Sequence, residues 1–151
     1  MKTLSSKLVI FCMMAMFVCV FSTKAHAGDY LGDFCWRFTS WTYGTTGTAR
    51  LGITHIGGGH FLCSGVSTVD NYPSNLWPSG GKFTTYGNAE LVGNEIRITL
   101  STAGARDGVI GNDTYVITLD PQTLNGIGKS IGVYSEKIEL DESTYTFTSC
   151  Q

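Results

Sequence analysis

The feature that most constrains this chain is a two-residue alternation of side chains, which recurs in segment after segment beyond residue 28. In residues 34–39 (FCWRFT) every second residue is aromatic, and in residues 95–100 (EIRITL) every second residue is aliphatic. A period of two places successive side chains on opposite faces, which indicates half-buried antiparallel strands. Glycine-bearing turns separate these segments, so the sequence predicts an all-β domain, either a small closed barrel or a two-sheet sandwich.

The same alternation predicts about eight strands. Their expected ranges are 33–41, 48–56, 60–69, 82–91, 94–101, 114–119, 124–134 and 144–150. Residues 70–81 are expected to form the longest irregular segment, and residues 102–112 a small polar loop. Residues 135–143 are expected to form a loop or a short helical turn. No repeat or linker interrupts this order, which indicates a single domain with one modest core.

The first 27 residues have the plan of a secretory signal peptide. Lys2 and Lys7 form a positive n-region, and residues 8–21 form an apolar run of 14 residues. Residues 25–27 (AHA) are a small-x-small cleavage site. The apolar run is too short to span a bilayer comfortably, so we expect cleavage after residue 27. A lipoprotein anchor at Cys19 is the alternative, although bulky residues precede that cysteine.

This interpretation of the N-terminal segment predicts a signal peptide at 1–27 and a β-barrel domain at 28–151, in a secreted or periplasmic protein. Cleavage would leave seven basic and twelve acidic residues, a net charge of −5. An acidic chain without a basic stripe is a poor nucleic-acid binder, so no nucleic-acid partner is expected. Four acidic residues cluster at Glu136, Glu139, Asp141 and Glu142. A solvated loop or edge is the expected role of this cluster, and a docking site for a basic partner is the alternative.

Three cysteines remain after residue 27, namely Cys35, Cys63 and Cys150. An exported protein meets an oxidising compartment, which favours pairing. Cys35 lies in the first predicted strand and Cys150 at the end of the last, and those strands are neighbours in a closed barrel. We therefore expect a Cys35–Cys150 disulfide, with Cys63 as a buried free thiol. In the alternative, Cys63 pairs with one of the other two cysteines.

Residues 32–34 (GDF) open the first strand, and Trp36 follows on the same face as Phe34. With the export signal and the succession of short strands, this start resembles the calycins, the group of lipocalins and avidins, whose lipocalin members open on Gly-x-Trp. The resemblance implies a single up-and-down antiparallel β-barrel of about eight strands, in which Phe34 and Trp36 plug the closed end. The biotin-contacting pattern of avidins is not recognisable, so biotin is not predicted.

No catalytic or metal-binding motif accompanies this fold. His55 and His60 flank a glycine turn, and a two-residue turn at Gly57-Gly58 would place them opposite each other. Two histidines alone make a weak metal site, so we expect surface histidines at a hairpin end and no metal. Ser64 lacks the nucleophile-elbow context of a hydrolase. We therefore expect neither enzymatic activity nor a cofactor.

The side chains at outward positions, such as Arg37, Arg50 and Arg97, are polar, whereas the side chains expected at inward positions are large and apolar. A membrane-spanning barrel has the opposite polarity, so no integral membrane segment is expected in the mature chain. Residues 72–78 (YPSNLWP) place Trp77 in a proline-bounded loop, where it could roof the barrel or face a partner.

Two functions follow for such a barrel. The first is non-catalytic binding of a small apolar or amphipathic molecule inside the barrel. The second is protein binding, as in a secreted inhibitor of a protease or lysozyme, through Trp77 and its loop. The residues expected to line the ligand site in the first case are Phe38, Leu51, Ile53, Phe61 and Trp77.

Overall fold

A computed structural model describes residues 28–71, 81–106, 109–134 and 137–150. The strands in these ranges are β1 (Asp29–Ser40), β2 (Thr46–Gly57), β3 (His60–Asn71), β4 (Lys82–Val92), β5 (Glu95–Arg106), β6 (Val109–Leu119), β7 (Gly126–Tyr134) and β8 (Lys137–Thr148). Each strand pairs antiparallel with the next, and β8 pairs with β1 to close the barrel. The predicted eight-stranded up-and-down barrel is confirmed, and the sandwich alternative is wrong. The predicted signal peptide lies outside the described residues.

A disulfide holds the seam between β1 and β8. Cys35 pairs in register with Thr148, and its sulfur is bonded to that of Cys150, two residues beyond β8. The two Cα atoms are 5.2 Å apart and 115 residues apart in sequence. Cys63 is a buried free thiol, and its burial raises its pKa to about 11. The predicted Cys35–Cys150 pairing is therefore confirmed.

Two segments expected to be irregular are strand instead. Residues 102–106 and 109–112, assigned to a polar loop, extend β5 and β6 into one long hairpin. Residues 137–143, assigned to a loop or helical turn, are the first half of β8. Both predictions were wrong because these segments place polar or small residues on the inner face and so lose the apolar alternation. Backbone pairing with the neighbouring strands determines their structure instead.

The β2–β3 hairpin turns one residue later than predicted. Gly58 and Gly59 form the turn with φ of 60° and 77°, a region that glycine adopts freely. His55 therefore pairs with Phe61, whereas His60 pairs with Gly57, so the two histidines are not opposite each other. His60 is exposed as expected, but His55 is buried, so the surface assignment of His55 was wrong.

The half of the barrel nearest this hairpin is filled by side chains, and we call it the packed half. Its core residues include Trp36, Leu51, Ile53, Phe61, Cys63, Ala89, Ile96, Ile98, Ile117, Leu119 and Leu124. The Trp36 indole N–H donates a hydrogen bond to the carbonyl of Leu124, at 2.8 Å, and Phe34 stacks on Trp36 at a centroid distance of 6.2 Å. The resemblance to calycins implied that Phe34 and Trp36 plug the closed end of the barrel, and both residues lie at this end. A void of about 10 Å³ is found here, which is at most one water molecule.

Candidate functional site: a polar cavity in one half of the barrel

The opposite half of the lumen, which we call the polar half, holds a cavity of about 70 Å³. This volume accommodates about five water molecules, and it is well below the several hundred Å³ of a site that encloses a drug-sized ligand. The apolar part of its wall is formed by Phe38, Ala49, Val69, Phe83, Leu100, Tyr115 and Tyr145. This half lies at the end of the barrel where β1 finishes and β2 begins.

Three of these aromatic rings are accommodated by inward-facing glycines. The ring of Phe38 lies so close to Gly47 that any Cβ there would collide with it. A Cβ at Gly104 would lie 2.8 Å from Cδ1 of Phe83, and one at Gly128 would lie 2.7 Å from Cε2 of Tyr145. The glycines thus provide space that the rings occupy, and the rings form part of the cavity lining.

A belt of polar side chains runs around the inner wall of this half, and we call it the polar belt. It consists of Ser40, Thr45, Ser67, Thr85, Thr102, Asp113, Ser130 and Asp141. Seven of the eight strands contribute one member, and Thr45 immediately precedes the remaining strand, β2. Thr102 lies directly opposite both Thr85 and Asp113 in the strand ladders, and Ser130 lies opposite Asp141. The belt is therefore continuous over β4 to β6 and over β7 to β8.

Asp141 is held in place by hydrogen bonds from the start of the β1–β2 connection and from its own strand. Its Oδ1 accepts hydrogen bonds from Ser40 Oγ at 2.8 Å and from the Thr42 backbone N–H at 3.3 Å. Its Oδ2 accepts a third from Ser143 Oγ at 3.1 Å. All three donors are neutral, so they orient the carboxylate without neutralising its charge. Tyr43 N–H donates to Ser40 Oγ at 3.0 Å, which links the cavity rim to the same group.

Two hydroxyl groups in the wall lack a hydrogen-bond partner among the described residues. They are the Oγ1 atoms of Thr45 and Thr102, whose residues are only 6% and 3% exposed. A buried hydroxyl without a partner costs about 1–3 kcal/mol, so native proteins satisfy such groups with water or a ligand. Both residues line the cavity, and a polar group inside it is the direct way to satisfy them.

The carboxylates of this half act on two tyrosines in the cavity lining. Burial raises the pKa of Tyr43, and the negative charges of Glu139 and Asp141 raise it further. Burial likewise raises the pKa of Tyr145, with additional contributions from Asp141 and Asp113. Both tyrosines line the cavity, and the described residues around it include no lysine, arginine or histidine.

The structure separates the residues that the sequence assigned to a ligand site. Phe38 lines the cavity, whereas Leu51, Ile53 and Phe61 pack in the core of the packed half. Trp77 lies outside the described residues. Among the four described, only Phe38 therefore lies where a ligand would have space.

Sequence reasoning missed the polar belt. It expected large apolar residues on the inner face, and this expectation is wrong for the polar half of the barrel. The acidic cluster near the C-terminus gave one usable signal, because Glu139 and Asp141 line the cavity. Glu142 points outward and forms an ion pair with Lys129 at 2.7 Å, as expected for a solvated edge. Glu136 lies outside the described residues.

The outer wall of β7 and β8 carries a second unusual surface, an exposed aliphatic patch. Its members are Ile131, Val133, Ile138 and Leu140, which are 48%, 49%, 71% and 67% exposed. Ile131 lies opposite Leu140, and Val133 opposite Ile138, so the four side chains form two adjacent cross-strand pairs. Contiguous exposed apolar residues of this kind mark interaction surfaces more often than isolated ones.

Comparisons with known proteins assign no family to this chain. Neither a protein-family model, nor a curated protein, nor a solved structure matches the chain. The closed eight-stranded barrel is compatible with a calycin-like fold. None of the described residues belongs to a helix able to cross a membrane. In the same ranges, no three His, Cys, Asp or Glu side chains are grouped so that they could hold a metal ion.

Proposed function

We propose that this protein is an exported, non-catalytic binding module that takes a small amphipathic molecule, or the end of one, into the polar half of its barrel. The observation that carries this proposal is the cavity of about 70 Å³ whose lining combines aromatic and aliphatic side chains with hydroxyls and carboxylates. A lining of this mixed kind matches a molecule with an apolar part and a hydrogen-bonding part.

Two further observations support this proposal. The buried hydroxyls of Thr45 and Thr102 have no partner among the described residues, which is a cost that a bound polar group would remove. The Cys35–Cys150 disulfide fits an oxidising compartment, such as the periplasm or the extracellular medium. The small volume favours a compact ligand.

Native mass spectrometry of the protein purified from the export compartment of its own host tests the proposal. We expect a small-molecule adduct that is released when the protein unfolds. Ser130→Leu fills the cavity from β7, beside Asp141, and should abolish the adduct. Thr146→Leu, on the exposed face of β8, is the matched control and should retain it. A bare mass for the wild type, with no ligand recovered from the denatured protein, would contradict the proposal.

A second candidate function, binding to another protein, is favoured by the aliphatic patch on β7 and β8. A secreted protease or lysozyme is the class of partner expected for a small exported barrel. The test is inhibition of a panel of secreted hydrolases by the wild type and by Leu140→Lys. Val66→Lys, at an exposed aliphatic position on β3, is the control. Inhibition lost in Leu140→Lys but kept in Val66→Lys would support this function, and absence of inhibition by the wild type would contradict it.

A further inference from the structure

We propose that the polar half of the barrel binds a small organic cation, specifically the ammonium group of an aliphatic amine, with Asp141 as the charged acceptor. The hydroxyls of Thr45 and Thr102 are further acceptors. This inference deepens the proposed function, on which it rests, because it names the chemical class of the ligand.

The choice of a cation follows from the charge of Asp141. Its carboxylate lines the cavity, and the described lining contributes no basic side chain that would pair with it. The hydrogen bonds of Asp141 come from Ser40, Thr42 and Ser143, which fix its position but leave its charge available to a ligand. An alcohol would gain no charge–charge attraction here, and a carboxylate would be repelled.

The choice of an ammonium group follows from the number and type of acceptors. An –NH₃⁺ group has three donors and no acceptor, so it needs several oxygens around a small volume. The carboxylate of Asp141 supplies one, and the Thr45 and Thr102 hydroxyl oxygens supply buried positions that lack a partner among the described residues. These two hydroxyls point to a missing ligand group independently of the acidic residues.

The apolar side chains of the cavity lining account for the rest of the ligand. Phe38, Leu100 and Tyr145 line the same cavity and offer contact to a short alkyl chain. Aromatic faces also attract an ammonium group, which adds to the preference for an amine over a neutral analogue. A cavity of about 70 Å³ admits the head and the first carbons of such a chain.

The test compares three probes of equal chain length, n-butylamine, 1-butanol and butyrate, by calorimetry and by methyl NMR of Thr45 and Thr102. We expect saturable shifts of both methyl signals with butylamine, at an affinity about tenfold or more above that of butanol. Asp141→Asn should lower the affinity for butylamine about tenfold or more and leave that for butanol unchanged. Glu142→Gln removes the same charge from the outer face of the same strand and should change neither.

The variant Thr102→Val is a second test. It keeps Asp141 intact, so its result does not depend on whether the protein folds without that carboxylate. It removes the unpartnered hydroxyl while keeping the shape, so the ligand-free protein should melt at a higher temperature. The same variant should bind butylamine several-fold more weakly. Stabilisation without loss of amine affinity would remove Thr102 from the proposed site.

The remaining outcomes separate this inference from the proposed function. If butanol or butyrate shifts the same methyl signals with affinity equal to or above that of butylamine, the cation assignment is wrong and the cavity remains a ligand site. If Asp141→Asn leaves amine affinity unchanged, the assignment of Asp141 is wrong. If none of the three probes produces saturable shifts at Thr45 or Thr102, both proposals fail.

Discussion

The two halves of this barrel are built on the same eight strands but are filled in opposite ways. In the packed half, aliphatic and aromatic side chains leave a void of about 10 Å³, whereas the polar half keeps about 70 Å³ beside a belt of hydroxyls and carboxylates. Close packing stabilises a small barrel, while unfilled polar space reduces stability unless something occupies it. The contrast fits a packed half that maintains the fold, and it is the reason for proposing the polar half as the binding site.

The largest effect should come from breaking the covalent seam at the packed end. The double variant Cys35→Ser/Cys150→Ser opens a loop of 115 residues in the unfolded chain, so the free energy of unfolding should fall by about 4 kcal/mol. Urea denaturation of the oxidised wild type and the double variant measures the difference. Cys63→Ala keeps the bridge and is the control. A loss below about 1 kcal/mol would show that the seam holds without the disulfide.

A direct comparison of the halves comes from truncating one core residue in each. Leu119→Ala should lower the free energy of unfolding by about 3.5 kcal/mol, because Leu119 is 2% exposed in a wall with no room to relax. Val69→Ala, beside the cavity, should cost about 1 kcal/mol, because its methyl groups already face space on one side. Equal losses in chemical denaturation would contradict the distinction between the halves.

The buried thiol of the packed half predicts a dependence of stability on pH. The pKa of Cys63 rises from 9.0 to about 11 on folding, so the folded state holds this proton more tightly. The resulting stabilisation is fully present below pH 9 and is lost as the pH rises towards 11. Between pH 8 and pH 11 the wild type should lose about 2 kcal/mol more than Cys63→Ala. Parallel curves for the two proteins would indicate that the thiol is accessible to solvent in the native state.

The smallest expected effect concerns His55. This residue is a buried polar side chain near the β2–β3 hairpin, where the other core side chains are apolar. Both of its ring nitrogens are buried without a hydrogen-bond partner among the described residues, and its ring lies 5.2 Å from that of Phe61. His55→Leu should therefore raise the free energy of unfolding by about 1 kcal/mol. His60→Leu, at the exposed end of the same hairpin, should change it by less than about 0.5 kcal/mol. A destabilised His55→Leu protein would indicate a polar role for this side chain.

The sequence predicted the packed half well because its residues obey the alternation. Ile96 and Ile98 point inward as expected, and the positions of Cys35 and Cys150 predicted the seam. The polar half could not be predicted in the same way. Inward Thr102, Asp113 and Asp141 look like outward residues in a one-dimensional pattern, so their segments resembled loops.

The alternation also could not predict whether a neighbouring side chain fills the space at an inward-facing glycine. An inward glycine leaves space in one barrel and accommodates a ring in another, and only the register distinguishes the two cases. Here Gly47 faces Phe38 directly across β1 and β2, so that ring fills the position. The location of the cavity depends on such pairings and not on composition.

The most direct test of this account is a high-resolution crystal structure of the purified protein, in which bound water and ligand positions are visible. We predict ordered density in the polar half, hydrogen-bonded to the Oγ1 atoms of Thr45 and Thr102 and to Asp141, and none within the packed half. A polar half closed by collapsed side chains, with both threonine hydroxyls bonded to protein groups, would contradict the claim that this half is built for binding.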